Sequence, residues 1–235
     1  MENTCGIILA GGRGSRFKTD APKPLYKIGQ TSMIELIIDA LKICNVENIL
    51  IVVSPTTERF YKFLSNNNVK LVVQKEPLGT FHALYEALYY VNSDKIIVIP
   101  GDKPFIDPLN IKQMLNHKVN TILAYESSER KPVLVTDKDL HLDRIIEDLD
   151  QPTEFYKKYP YRTGGVYCFN TKELKKLKLD IDINKNNKQN EYYLTDIFEN
   201  NIGVTKVICV DKVTLSNINT LEEVHYYTDG ANNDK

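Results

Sequence analysis

The sequence predicts an α/β fold: a mostly parallel central sheet flanked by helices, with a less regular C-terminal lobe. Apolar runs of strand length at 5–10, 48–53, 69–73 and 95–99 alternate with helix-patterned segments at 33–44, 57–66 and 80–91. Such alternation implies parallel strands joined by right-handed crossovers. The first run, Cys5-Gly6-Ile7-Ile8-Leu9-Ala10, is short and continuous, as a fully buried strand is. Glycine-bearing segments follow several of these runs. In open sheets of this kind ligands sit at the carboxyl ends of the strands, so the function is expected there.

Each element has its own signal. The strand at 5–10 feeds Gly11, Gly12 and Gly14. The helix at 33–44 shows a broad apolar face of Met33, Ile34, Leu36, Ile37, Ile38, Ala40 and Leu41. Asn48 to Val53 is a buried strand and Val69 to Val73 a further strand, on either side of a helix at 57–66, and the helix at 80–91 leads into the strand from Lys95 to Ile99. In the second half, strands are expected at 120–125, 132–136, 142–147, 165–169 and 206–210, and helices at 107–116, 171–178, 191–200 and 220–227. The polar stretch 180–190 reads as a mobile loop and 230–235 as a polar, frayed tail. Residues 1–229 thus form one expected domain whose C-terminal half adds a lobe over the sheet.

Bulk properties exclude other classes. The formal net charge of −1, with acids and bases interspersed, argues against a general nucleic-acid binder, which would carry a basic face or tail. No apolar run reaches membrane-spanning length, and the start of the chain lacks the core of a signal peptide. Cys5, Cys44, Cys168 and Cys209 have no metal-ligand spacing and are expected to be buried, reduced thiols. A soluble cytoplasmic protein, monomeric or a small homo-oligomer, is the expectation.

Residues 9–25, Leu-Ala-Gly-Gly-Arg-Gly-Ser-Arg-Phe-Lys-Thr-Asp-Ala-Pro-Lys-Pro-Leu, carry the chemistry. A strand feeding a glycine-rich turn lets backbone N–H groups approach an anion. Gly12-Arg13-Gly14 continues as Ser-Arg-Phe, so the third glycine of a dinucleotide fingerprint is missing, and no Gly-Lys-Ser/Thr follows, so it is not a P-loop. A plain strand-to-helix turn would explain the glycines alone. It would not explain Arg16, or Lys23 between Pro22 and Pro24, which restrict the backbone on both sides of it. These residues point to a nucleoside triphosphate site.

The stretch from Leu9 to Leu25 resembles the signature of the nucleotidyltransferases that join a sugar 1-phosphate to a nucleoside triphosphate, Leu-Ala-Ala/Gly-Gly-x-Gly-Ser/Thr-Arg and then Pro-Lys-x-Leu. The resemblance implies a Rossmann-like nucleotidyltransferase fold. It implies that Leu9, Ala10, Gly11, Gly12, Gly14 and Ser15 hold the nucleotide, Arg16 its β- and γ-phosphates, and Lys23 its α-phosphate. Gln74-Lys-Glu-Pro-Leu-Gly79-Thr80-Phe-His82-Ala is similar to the base-reading loop of one branch, the UDP-N-acetylglucosamine pyrophosphorylase domain of a bacterial bifunctional enzyme. The Gln74 amide can donate to and accept from a uracil edge. Taken alone, Leu78-Gly79-Thr80 is an ordinary helix start with Thr80 as N-cap, and His82 reads as a structural helix residue rather than a base.

Gly101-Asp102 ends the 95–99 strand, and a carboxylate there is placed to hold Mg²⁺. The resemblance supplies Asn219 as the second metal ligand, with Asn217 as the competing register and a cap at Thr220 as the plain alternative for Asn219. It also supplies sugar contacts at Glu147, Thr163 and Gly164, and at Glu191 and Tyr193 within Asn190-Glu-Tyr-Tyr-Leu-Thr-Asp-Ile197. Residues of about 1–110 would then form the nucleotide-binding half and about 111–229 the sugar-binding half. Three departures lie on the sugar side: Arg162 in place of an asparagine, Lys131-Pro132-Val133 in place of a Tyr-Gly-Arg-like turn, and Pro100 in place of an aromatic residue. In the bifunctional branch an acetyltransferase domain follows; here acetyl transfer, coenzyme A and the trimer it builds are not expected. The implied reaction is Mg²⁺-dependent transfer of UMP from UTP to N-acetylglucosamine 1-phosphate. The alternatives are another acceptor or base, such as glucose 1-phosphate or phosphocholine with CTP, and a catalytically silent nucleotide-binding homologue.

Overall fold

The computed structural model describes residues 2–12, 21–66, 68–147, 151–177, 191–200, 202–220 and 222–224. Gly14, Ser15, Arg16, the polar stretch 180–190 and the tail 230–235 lie outside the described residues. The first half runs β1 (Thr4–Leu9), β2 (Lys27–Ile28), β3 (Thr31–Ser32), α1 (Met33–Ile43), β4 (Asn48–Val53), α2 (Glu58–Tyr61), β5 (Val69–Val73), α3 (Thr80–Leu88) and β6 (Lys95–Pro100). The second half supplies α4 (Pro108–Asn116), β7 (Asn120–Glu126), β8 (Val133–Thr136), β9 (Leu142–Ile146), α5 (Thr153–Lys158), β10 (Tyr161–Asn170), α6 (Thr171–Lys176) and β11 (Thr205–Cys209).

Among the described residues the main sheet has nine strands in the order β11-β7-β10-β6-β1-β4-β5, with β8 on β10 and β9 on β8. β6, β1, β4 and β5 are parallel neighbours, and β11 is parallel to β7. β10 runs antiparallel to both β6 and β7. The sheet is therefore mostly parallel, as expected. The C-terminal half, however, joins it edge to edge through β10 and extends it, rather than lying over it. Successive residues of β1 face opposite layers: Ile7 packs with Phe81 and Leu84 of α3, and Ile8 with Ile34, Ile37 and Leu41 of α1.

α1 begins at a capping box. The Ser32 hydroxyl accepts from the Glu35 N–H at 3.4 Å, and Glu35 Oε2 accepts from the Ser32 N–H at 2.9 Å. Hydrogen bonds from the Ser32 side chain and backbone hold the Glu35 carboxyl below its ordinary value. Ser32→Ala is expected to cost about 1 kcal/mol in urea unfolding at neutral pH. A depressed carboxylate contributes stability above its unfolded pKa and loses it as the pH falls through the folded value. The Ser32→Ala penalty should therefore shrink on acidification; an equal penalty at both pH values contradicts this pairing.

Several elements differ from expectation. The helix at 57–66 is one α-turn followed by a 3₁₀ turn over Lys62–Leu64. The helix at 191–200 is a 3₁₀ segment from Leu194 to Asn200, where β-branched Thr195 and Ile197 disfavour a regular helix. Gly79 takes the N-cap position of α3 and Thr80 is its first helical residue. β10 is longer than 165–169, because Gly164 and Gly165 sit inside the strand at a bulge instead of ending it. α5 had no sequence signal of its own. Of the helix at 220–227, residues 222–224 are helical and the others, apart from residue 220, lie outside the described residues. Cys5, Cys44 and Cys168 are buried, but Cys209 is exposed near the end of edge strand β11. Among the described residues no helix is long and apolar enough to cross a membrane.

Candidate active site

The carboxyl ends of β1, β5 and β6 meet around a cleft of about 740 Å³. Backbone bonds set the segments leaving them: Ala10 N–H to Val52 O at 2.8 Å, Gln74 N–H to Val53 O at 2.9 Å and Gly101 N–H to Leu9 O at 2.9 Å. Of the residues singled out in the sequence, Leu9, Ala10, Gly11, Gly12, Lys23, Gln74, Gly79, Thr80, Asp102, Glu191 and Asn219 all line this cleft. Residues nearly two hundred positions apart are thus brought to one wall.

Its polar centre is a lysine held by two oxygens. Lys23 starts a 3₁₀ turn, Lys23–Leu25, between its two prolines. Its Nζ donates to Asp102 Oδ2 at 2.7 Å and to Asn219 Oδ1 at 3.0 Å. Asn217 takes a supporting place: its Nδ2 donates to Asp102 Oδ2 at 3.3 Å, and its Oδ1 accepts from Lys103 Nζ. The Ile218 N–H reaches Asp102 O at 3.2 Å, tying this segment to the end of β6. Asn219 does not act as a cap, since Thr220 Oγ1 receives the Glu223 N–H at 3.2 Å. Lys103 is buried and also donates to Leu215 O at 2.7 Å. Burial pushes it down to about 8, against the pull of Asp102 and with the help of the Lys131 and Lys23 charges. Lys103 is a site residue that motif reading missed; a lysine directly after a strand-end carboxylate was the available signal. Asp102 and Asn219 converge on the Lys23 ammonium, and two such oxygen atoms at the cleft wall fit a hard divalent cation. Among the described residues no cluster of three His, Cys, Asp or Glu forms a protein-only metal cage.

The opposite wall is the loop before α3. Gly79 adopts φ +109°, and a Cβ there would lie 2.4 Å from Tyr192 O, so both conformation and space require glycine. The loop is bonded to the 191–194 segment: Phe81 N–H to Tyr192 O at 2.9 Å, Tyr192 N–H to Leu78 O at 2.8 Å and Leu194 N–H to Thr80 Oγ1 at 2.9 Å.

The expected sugar residues divide. Glu191 lines the cleft, and Tyr193 lies nearby, its phenol raised by burial first and then by the carboxylates of Glu191, Glu147 and Asp196. Glu147 also raises Tyr167, whose main cause is burial and whose ring lines the cleft. Tyr167 was not singled out in the sequence; it lies two residues beyond Gly165 on the same strand. Thr163 Oγ1 sits 3.3 Å from the Tyr167 hydroxyl and accepts the Gly165 N–H at 3.0 Å. Gly164 faces away, where a Cβ would meet Leu215 at 2.4 Å, and Gly165 lines the cleft instead. Arg162 does not face the cleft either. Fully buried, it donates to Glu129 O at 2.9 Å, Tyr159 O at 2.5 Å, Tyr161 O at 3.1 Å and Tyr156 O at 3.0 Å. Lys131 pairs with Glu129 at 3.1 Å beside Tyr125, and Pro100 lines the cleft.

The family model described as MobA-like NTP transferase domain matches residues 6–156. The chain belongs to this family. Among curated relatives of the nucleotidyltransferase, a protein of Acanthamoeba polyphaga mimivirus named a probable UDP-N-acetylglucosamine pyrophosphorylase is 33% identical over 93% of this chain and 92% of its own length. The bifunctional protein GlmU of Carboxydothermus hydrogenoformans is 33% identical over 82% of this chain and 44% of its own length. That of Thermodesulfovibrio yellowstonii is 30% identical over 92% and 48%. The chain thus spans under half the length of these GlmU proteins and nearly all of the viral one. Two solved structures share the fold. A Bacillus anthracis protein assigned as a glucose-1-phosphate thymidylyltransferase has a TM-score of 0.75 at 24% identity, covering 97% of this chain and 95% of its own. HddC from Yersinia pseudotuberculosis, solved with GMP-PN, has a TM-score of 0.69 at 22% identity, covering 98% and 100%. The protein is a sugar-1-phosphate nucleotidyltransferase.

Proposed function

We propose that the protein is a uridylyltransferase that forms UDP-N-acetylglucosamine and pyrophosphate from UTP and N-acetylglucosamine 1-phosphate, in the cytoplasm. The observation that carries the reading is the convergence of Lys23, Asp102 and Asn219 on one wall of a cleft whose other wall is the Gln74–Thr80 loop. The names of the mimivirus and GlmU relatives support the choice of base and sugar.

The reaction is an in-line displacement in which a phosphate oxygen of the sugar 1-phosphate attacks the α-phosphorus of UTP. The attacking phosphate is already ionised, so positioning and charge neutralisation do most of the work, without a general base. The 1–110 half takes the nucleotide: the backbone of Ala10 to Gly12 follows its phosphates, and Lys23 and Arg16 offset charge growing towards pyrophosphate. The 111–229 half takes the sugar, with Glu191, Tyr193 and Glu147 accepting from or donating to its hydroxyl and amide groups. Asp102 and Asn219 would hold Mg²⁺, which when bound supplies positive charge to the phosphates. Lys23, which spans the same two oxygens, would then turn its ammonium to a phosphate.

Pyrophosphate release with the four nucleoside triphosphates against a panel of sugar 1-phosphates tests the reading. UTP with N-acetylglucosamine 1-phosphate should give the highest kcat/KM. Release with CTP alone removes the UTP assignment, and no release with any pair removes the reaction.

A further inference from the structure

We infer that His82 is a specificity-determining positioning residue, which fixes the Gln74 amide with its oxygen towards the nucleotide and so selects a base that carries an N–H there. The inference rests on the UTP reading above and adds a residue to it.

Gln74 is buried where β5 ends, at the cleft wall. Its Nε2 has two protons and two partners, Gly79 O at 3.0 Å and His82 Nδ1 at 3.1 Å. A carbonyl oxygen accepts only, so the amide nitrogen must face Gly79. Both amide protons are then spent away from the ligand. Gln74 Oε1 lies on the other side, 3.6 Å from where a Cβ on Gly11 would stand, against the segment that follows β1. What Gln74 offers the cleft is therefore an acceptor.

His82 Nδ1 can receive this proton only if the ring carries its own on Nε2. Glu86, one helical turn further on, supplies the reason: its Oε1 stands 3.5 Å from His82 Nε2. Glu86, His82 and Gln74 form a chain in which the nearby carboxylate charge favours the ring proton on Nε2, that tautomer sets an amide, and the amide sets what the cleft accepts. Uracil and thymine carry a proton on N3 and satisfy Gln74 Oε1. Cytosine has a lone pair on N3 and meets it acceptor to acceptor. Without His82 the amide keeps only Gly79 O and loses half of its constraint.

The test measures KM and kcat for UTP and CTP at saturating N-acetylglucosamine 1-phosphate in wild type, His82→Leu, His82→Asn and Glu86→Gln. His82→Leu should narrow the UTP-to-CTP ratio of kcat/KM about tenfold, chiefly through KM for UTP. His82→Asn, which offers Oδ1 where Nδ1 stood, should restore most of the ratio; a merely space-filling role would predict the reverse order. Glu86→Gln, a near-isosteric change at a half-buried position, should narrow the ratio to a lesser degree. A wild-type ratio in folded His82→Leu overturns the inference, as does a wild-type ratio in Glu86→Gln should His82→Leu not fold. A wild-type enzyme that does not prefer UTP overturns the UTP reading and this inference together.

Discussion

Asp102→Ala lowers kcat by about two to three orders of magnitude, the scale on which removal of a charge-stabilising group acts in a preorganised site. Asp102 Oδ2 receives both Lys23 Nζ and Asn217 Nδ2, so its loss removes the anion around which that wall is built. Two effects are expected to add. On the proposed reading a divalent cation loses its charged ligand, and Lys23 loses one of the two oxygens that hold it. Asp102→Asn separates them, because it keeps the shape and an oxygen while removing the charge. Its kcat should fall nearly as far, and raising Mg²⁺ tenfold should recover part of the rate in Asp102→Asn but little in Asp102→Ala. Circular dichroism and melting of both variants should stay near wild type, since Asp102 is partly exposed at a strand end. A near-wild-type rate in Asp102→Ala at ordinary Mg²⁺ refutes the assignment of this carboxylate.

Arg162→Met has the largest expected effect on stability. The guanidinium is fully buried and collects carbonyls of Glu129, Tyr156, Tyr159 and Tyr161. Methionine fills much of the volume but leaves those carbonyls without the donor that joins them. The expected cost is about 3–5 kcal/mol, as for other broken buried charged networks. In a chain of this length that corresponds to a fall in Tm of roughly 10 °C. Arg162→Lys should recover little, because one ammonium cannot reach four separated carbonyls. Denaturant midpoints report both; a loss under 1 kcal/mol in Arg162→Met would show the network to be dispensable.

The same residue shows where sequence reading reached its limit. Arg162 stands where the motif has a sugar-contacting asparagine, and in sequence it reads only as a departure on the sugar side. Nothing local to 160–165 shows that the carbonyls of Glu129, α5, its C-cap and the start of β10 would gather around it; only the fold brings residue 129 to residue 162. The alternation of apolar runs did suffice for β1, β4 and β6, since parallel strands buried on both faces leave a continuous apolar imprint, and edge strand β5 showed enough of one despite its exposed Lys70. It did not show that β10 would run antiparallel between β6 and β7, because strand direction is not written in apolar pattern. On the site, Lys23, Gln74 and Asp102 were legible because a cation between prolines, and polar groups just past buried strands, have few structural uses. Asn217 and Asn219 were both visible, but which faces the cleft depends on how Lys103 and Lys23 divide them. His82 was read as a structural residue because its partner Gln74 is separated from it by a loop whose path Gly79 decides.

The bonds joining residues 78–81 to residues 192–194 bear on how such an enzyme could be re-engineered. The loop proposed to read the base and the segment proposed to hold the acceptor share three backbone-anchored hydrogen bonds, and Gly79 admits no side chain because Tyr192 stands against it. A graft that imports the 190–197 segment of another transferase to change the acceptor would also change what the base loop leans on. The two stretches travel as one cassette: exchanged together they carry their own fit, and exchanged singly they trade a new acceptor for a loosened grip on the nucleotide.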